Sequence, residues 1–323
     1  MNDMNINNSY NSNKRDLGQK KELTTTQKIK YISFYLKYPA VTLALSPFIL
    51  GGCSSSSESS GPTSSTGPVD RILGVFNNKG ISILEPDEAQ NIIAEKTLPI
   101  NKDQLLLDKI LWEEAVRTIG TTSGSLPALS GVRVIFTNIQ GVGKFFSGEK
   151  IIKTSNEPYV FLHEVGHATD ASRGWPSLTT EFENTVLKSL NAVLGTAYTN
   201  KEALFNDANT SFDWVKNKLK SKTKNNDDIN LIKFYISSLN RKPLDGLYTR
   251  VGGGLYEPYE IFSTHFQKIK ENNSFAKAMS DLTSFIEDSN KRGINNQAKA
   301  SGNPIEEKED SAKEISKILK GEI

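Results

Sequence analysis

His163, Glu164 and His167 are the residues whose types and spacing could do chemistry in this chain. They sit in the run His163-Glu164-Val165-Gly166-His167, a match to the H-E-x-x-H pattern. In a helix, residues four apart share one face, one turn above the other. Both imidazoles then point the same way and can hold one Zn²⁺, with nitrogens about 2.0–2.1 Å from it. Glu164 sits just off that face, where a carboxylate reaches a zinc-bound water without ligating the metal. The chain has only three histidines, so the spacing is not one of many arrangements. The bland alternative is two ordinary histidines on a solvated helix face. Against it, Tyr159, Leu162, Val165 and Gly166 can pack the rest of that helix into a core. Imidazoles turned inward there need partners.

A catalytic zinc site takes three protein ligands and leaves a fourth position for water. The third ligand must come from elsewhere in the chain. Metzincin spacing would put His where Arg173 stands, which excludes that class. A thermolysin-like site would draw on Glu181 or Glu183, but the usual Asn-Glu-x-x-x-Asp surroundings are absent. The run Glu257-Pro258-Tyr259-Glu260-Ile261-Phe262-Ser263-Thr264-His265-Phe266 offers a better acid. Glu260 points away from the stripe Phe262, Phe266 and Ile269, so it is free to face another element. His265 falls off the Glu260 face and reads as structural. Glu257 reads as a first-turn charge favoured by the helix dipole. Asp170 shares the face of His163 and His167 and is expected to accept a hydrogen bond near the metal and orient a ligand.

At this point the chain resembles a known group. His163-Glu164-Val165-Gly166-His167-Ala168-Thr169-Asp170 is similar to the H-E-x-G-H-x-x-D helix of the anthrax lethal factor catalytic domain and the Pro-Pro endopeptidases of bacterial surfaces. In that group a later helix supplies a Glu ligand followed two residues on by an aromatic, as Glu260 and Phe262 would here. The resemblance implies an α+β, zincin-like fold, mainly helical, with a small mixed β-sheet around the metal helix. It also implies a zinc metalloendopeptidase acting on protein or peptide substrates. The group carries a Tyr seven residues before the ligand Glu, for the oxyanion. That position is Gly253 here, which leaves the role to Tyr248 or Tyr256. His167 and Glu260 are 93 residues apart, longer than the group's usual spacing, so the helices across 185–245 read as an insertion.

The elements that must position these residues follow from pattern. Arg71–Phe76 and Ile81–Leu84 are apolar runs split by Asn77-Asn78-Lys79-Gly80, a hairpin signal. Glu85–Glu95 and Lys102–Ile119 read as helices, the second with a stripe of Leu105, Leu106, Ile110, Leu111, Ala115 and Ile119. Val132–Phe136 is predicted as a strand, with Gly141–Phe146 and Ile151–Thr154 as further strands. Gly141–Phe146 is the candidate edge strand on which a substrate would add as an extra strand. The metal helix runs from Glu157 to about Ser172 and breaks at Trp175-Pro176-Ser177. Helices are then predicted over Thr179–Leu194, Lys201–Leu219, Ile229–Leu239, Pro258 to about Asn272, and Phe275–Ile286.

Composition bounds the rest. A net charge of +2 across 323 residues does not point to nucleic acid. The basic excess is confined to residues 1–52, with seven Lys/Arg against three Asp/Glu. The apolar run Ala40–Leu50 follows, too short for the roughly 20 residues a membrane-spanning helix needs. Leu50-Gly51-Gly52-Cys53 resembles a bacterial lipobox, which implies cleavage before Cys53 and lipidation there. Cys53 is the only cysteine, so no intrachain disulfide forms. Ser54–Pro68 is Ser/Gly/Thr/Pro-rich and suits a flexible spacer. The expected organisation is a lipoprotein signal peptide over 1–52 and a lipidated Cys and tether over 53–69. A zinc metallopeptidase domain over 70–287 and a polar tail over 288–323 complete it. The expected location is the bacterial cell envelope, outside the cytoplasm and held to the membrane at Cys53. The rival reading from another class is a non-catalytic surface lipoprotein that keeps the fold to bind a partner.

Overall fold

The computed structural model describes residues 67–96, 98–211, 213–244 and 256–289. The chain divides between Thr63 and Ser64, and all of these residues lie in the second unit. Cys53, Tyr248 and Gly253 fall outside them. The described residues are α+β, mostly helical, with one small mixed sheet. Among them no helix is long and apolar enough to cross a membrane.

The first helix, α1 (Pro68–Asn78), replaces half of the expected hairpin. Pro68 occupies its first turn, and the Asp70 carboxylate takes the Gly67 N–H at 3.1 Å. Ile72, Val75 and Phe76 bury at helical spacing. A short apolar run carries no period of its own, and a turn signal after it suits a helix end as well as a hairpin. Gly80 makes that turn at φ 72°; a Cβ there would lie 1.5 Å from the Leu129 carbonyl oxygen. Strand β1 (Ile81–Ile83) then pairs in parallel with β2 (Val132–Phe136).

Helix α2 (Pro86–Lys96) comes between them and covers one face of the sheet. The predicted helix over 102–119 is shorter. Asp108 caps a fresh start by accepting from the Ile110 and Leu111 N–H groups, giving α3 (Lys109–Gly120). Its buried face is Trp112, Ala115, Val116 and Ile119, while Ile110 is 77% exposed. Of the stripe read from sequence, Leu105, Ala115 and Ile119 are buried, whereas Ile110 and Leu111 face outward because the run crosses the cap at Asp108.

Strands β3 (Gly143–Phe146) and β4 (Ile151–Thr154) complete the sheet in the order β1-β2-β4-β3. β4 is parallel to β2, with Val134 opposite Ile152, and antiparallel to β3, with Phe145 opposite Ile152. β3 is therefore an edge. Alternation along β2 sends Val132, Val134 and Phe136 into the main core and Ile135 into a smaller one under α2.

Helix α4 (Pro158–Ser172) lies against β3 and β4 and carries residues 163–167. α5 (Thr180–Leu194), α6 (Lys201–Ala208), α7 (Trp214–Leu219) and α8 (Asn226–Asn240) follow, with the predicted 201–219 helix split in two. Then come α9 (Pro258–Lys270), α10 (Ser274–Ala278) and a last helix, α11, over 280–289. The segment read as an insertion is not an appendage. Tyr235 of α8 bonds His265 of α9 at 3.0 Å. Leu190, Leu204, Val215 and Ile232 join the same core. These helices buttress the back of α9, whose front faces α4.

Candidate metal centre

Helices α4 and α9 meet where a glycine lets them. A Cβ on Gly166 would come within 2.7 Å of the Ser263 Cα. This close approach brings Glu260 of α9 over the two α4 imidazoles. His163 Nε2 and His167 Nε2 are 3.1 Å apart, and Glu260 Oε2 is 3.2 Å from the first and 3.5 Å from the second. The ring planes stand at 87°. All three side chains are nearly buried.

Glu260 Oε2 is buried with no hydrogen-bond partner, so neither ring aims an N–H at it along a bonding direction. Three Lewis-basic atoms thus converge on one point, the two imidazole nitrogens within hydrogen-bond distance of each other and the Glu260 oxygen without a hydrogen bond of its own. Four ligands at about 2.0–2.1 Å in a tetrahedron sit about 3.3–3.4 Å apart. The observed separations of 3.1, 3.2 and 3.5 Å bracket that edge. His163, His167 and Glu260 could therefore hold a metal ion.

The electrostatics ask for positive charge at that point. Burial opposes ionisation of Glu260, but the two imidazoles outweigh it and hold the carboxyl down to about 2. Burial also opposes charge on His163, yet Glu260 and Glu164 together raise its pKa. At His167 burial prevails and the pKa is lowered. Ser263 fixes the His167 tautomer. Its hydroxyl donates to the Tyr259 carbonyl at 3.0 Å, so at 2.6 Å from His167 Nδ1 its oxygen accepts the ring N–H. That leaves the Nε2 lone pair facing His163 and Glu260.

Glu164 lies beside the three and does not join them. Its carboxyl is pushed up to about 7, first by burial and further by Glu260, against the opposing pull of His163 and the Phe145 backbone. β3 comes so close that a Cβ on Gly143 would sit 2.5 Å from Glu164 Oε1 and 2.8 Å from Val160 Cγ1. A cavity of about 610 Å³ opens above these residues. Gly143, Lys144 and Phe145 of the β3 edge form one side, and Trp175, Leu178 and Tyr259 the other.

The remaining sequence candidates separate. Asp170 is wholly buried, but its carboxylate takes the Ser177 N–H at 3.1 Å and the Ser177 hydroxyl, not a histidine. Asp170 lies in the last turn of α4, where its carboxylate reaches Ser177 in the segment that follows the helix. Burial pushes the Asp170 carboxyl up to about 6, with the Ser177 donors opposing. Tyr256 packs on Phe234 at 6.4 Å and is not among the residues lining the cavity. Glu183 is engaged by Lys201 at 2.7 Å. His265 is a core residue bonded to Tyr235 and Thr283. Two residues escaped the sequence reading. Ser263 lies one turn beyond Glu260 on its helix, a spacing that could have flagged it. Tyr259, beside Glu260 in the same quoted run, lies edge-on to the His167 ring at 5.6 Å.

No protein-family model, no curated protein and no solved structure matches this chain.

Proposed function

We propose that this chain is a zinc-dependent endopeptidase with a zincin-like fold, acting on proteins or peptides outside the cytoplasm. The observation that carries the reading is the buried, unpartnered Glu260 oxygen set against two imidazole nitrogens, with a second carboxylate, Glu164, beside them at the foot of an open cavity. The donor set of two His and one Glu suits Zn²⁺ with one position left over. When bound, zinc would supply Lewis-acid polarisation of a carbonyl and would lower the pKa of water toward about 7.

The chain's own residues do the rest. His163, His167 and Glu260 hold the ion, and Ser263 keeps His167 in the ligating tautomer. Glu164 takes the proton of the attacking water at its carboxylate and delivers it to the leaving amine. The free edge of β3 aligns an extended peptide by backbone pairing, which is how a strand edge recognises a substrate without reading every side chain. Tyr259 lines the cavity, and its hydroxyl is a donor for a developing oxyanion in addition to the expected Tyr248, which lies outside the described residues. Cys53 is the proposed lipid anchor, and the tether expected over 53–69 sets the enzyme off the membrane, its last residues, from Pro68 on, belonging instead to α1.

The test is metal content and cleavage together. The purified protein is expected to bind about one zinc per chain, given one three-ligand site. It is expected to cut a generic peptide library and to lose both properties as Glu260→Ala. Zinc binding without cleavage of any peptide would leave the second reading, a non-catalytic surface lipoprotein that binds a partner. What favours that second reading is Tyr256, one of the two tyrosines expected for the oxyanion, which packs on Phe234 and is not among the residues lining the cavity.

A further inference from the structure

The turn after α4 is built at a cost that hydrolysis itself does not explain. Trp175 has φ 61° and ψ 57°, a left-handed conformation that bulky side chains rarely adopt. It is held there from several sides. Trp175 N–H donates to the Asp170 carbonyl at 2.9 Å, and Leu178 N–H to the Trp175 carbonyl at 3.0 Å. Beneath them the buried Asp170 carboxylate takes both donors of Ser177. Strain held by a dedicated buried carboxylate points to a purpose for the side chains it presents.

Those side chains face the cavity. Leu178 is 55% exposed, although apolar, and lines the same wall as Trp175 and Tyr259. Tyr259 stands edge-on between His167, at 5.6 Å, and Trp175, at 6.4 Å. The wall therefore runs outward from the candidate ligands without a break. Across the cavity lies the β3 edge, where Lys144 is the charged side chain.

We propose that this wall is a subsite for a bulky apolar side chain of an extended peptide lying along β3, and that Asp170 is the positioning residue for it. The inference deepens the peptidase reading and rests on it for the bond that is cut. Side chains of an extended peptide alternate in direction, so pairing with β3 turns one of them toward Trp175, Leu178 and Tyr259. An aliphatic or aromatic group there removes apolar surface on both partners from water. An acidic group would lose hydration against the wall, where none of Trp175, Leu178 and Tyr259 is basic; Lys144, on β3, is the one Lys or Arg among the described lining residues.

The experiment uses the full chain carrying Glu164→Gln, loaded with zinc so that it binds without cutting. It is titrated with positional-scanning peptide pools, each with one position set as Leu, Phe, Ala, Asp or Lys. At one position the Leu and Phe pools are expected to bind about tenfold tighter than the Ala pool. Trp175→Ala is expected to reduce that ratio to about two- to threefold. Asp170→Ala is expected to reduce the same ratio, and Asp170→Asn to restore it, because the amide oxygen still accepts from Ser177. Tighter binding of the Asp or Lys pools, equal binding of all pools, or an unchanged ratio in Trp175→Ala would overturn the proposal. If Glu164→Gln does not fold, the cleavage profiles of the unmodified protein and of Trp175→Ala give the same ratio. An apolar preference in binding with no cleavage by the unmodified protein sinks the peptidase and leaves the subsite. Cleavage without apolar preference does the reverse.

Discussion

All three histidines of this chain are largely buried, yet two regions treat them in opposite ways. His265, on the back of α9, is fully enclosed, with Nδ1 3.0 Å from the Tyr235 hydroxyl and Nε2 3.1 Å from the Thr283 hydroxyl. Burial holds its pKa down to about 3, and both ring nitrogens have a partner. On the front of the same helix, His163 and His167 turn their Nε2 atoms toward each other and toward a Glu260 oxygen that nothing satisfies. Burial alone therefore does not mark a functional histidine. What sets the front pair apart is the buried carboxylate oxygen beside it that has no hydrogen-bond partner, in a place where that is expensive.

That contrast can be broken or sharpened by substitution. The largest effect is expected from Glu164→Gln. Loss of the proton acceptor should lower peptide cleavage by about 10²–10⁴-fold with zinc content unchanged; a variant that retains both would remove Glu164 as the base. Next, His265→Ala should cost about 3 kcal/mol in denaturant unfolding, because it strands the buried Tyr235 hydroxyl and leaves a cavity. Its zinc stoichiometry should not move, and loss of zinc without loss of stability would dissolve the distinction between the two faces of α9.

A pH effect of about 2–3 kcal/mol is expected from Asp170, whose native pKa of about 6 stands above its ordinary 3.8. The raised value means that the folded chain prefers the neutral acid. Its contribution is complete below about pH 4 and is lost as pH rises through about 6. The stability difference between the unmodified protein and Asp170→Asn should therefore change over that window, and parallel pH–stability curves would refute it. The smallest effect is expected from Ser263→Ala, which removes the acceptor for His167 Nδ1–H. Zinc affinity should fall by about 10–100-fold. Nitrogen NMR should show the His167 ring no longer held in one tautomer, whereas His265 keeps its own.

How much of this could be read beforehand depended on distance along the chain. The i, i+4 relation of His163 and His167 is local, and one turn of helix is enough to set it. The candidacy of Glu260 came from a longer argument, that an acid off the apolar stripe of its own helix must face something else. The strand pattern of β3 and β4 was equally local and holds in the sheet. Of the runs at 71–84, the first failed because a short apolar segment before a turn fits a helix or a strand. The second holds as β1, whose partner is not that run but β2, some fifty residues on. The stripe over 105–119 holds at Ala115 and Ile119 but failed at Ile110 and Leu111, because a cap at Asp108 started the helix afresh.

The sequence by itself determined which side chains could meet an ion from one helix, because helical spacing is dictated by backbone geometry that any chain shares. It determined as well that an acid on a distant helix was free to join them. Tertiary structure alone decided that Ser263 rather than Asp170 holds His167, that Asp170 clamps the turn bearing Trp175, and that Tyr259 rather than Tyr256 faces the cavity. Those choices turn on how closely two helices cross at Gly166 and on how the chain bends at Trp175. Such contacts between residues far apart in sequence are settled by packing, and no local period encodes them.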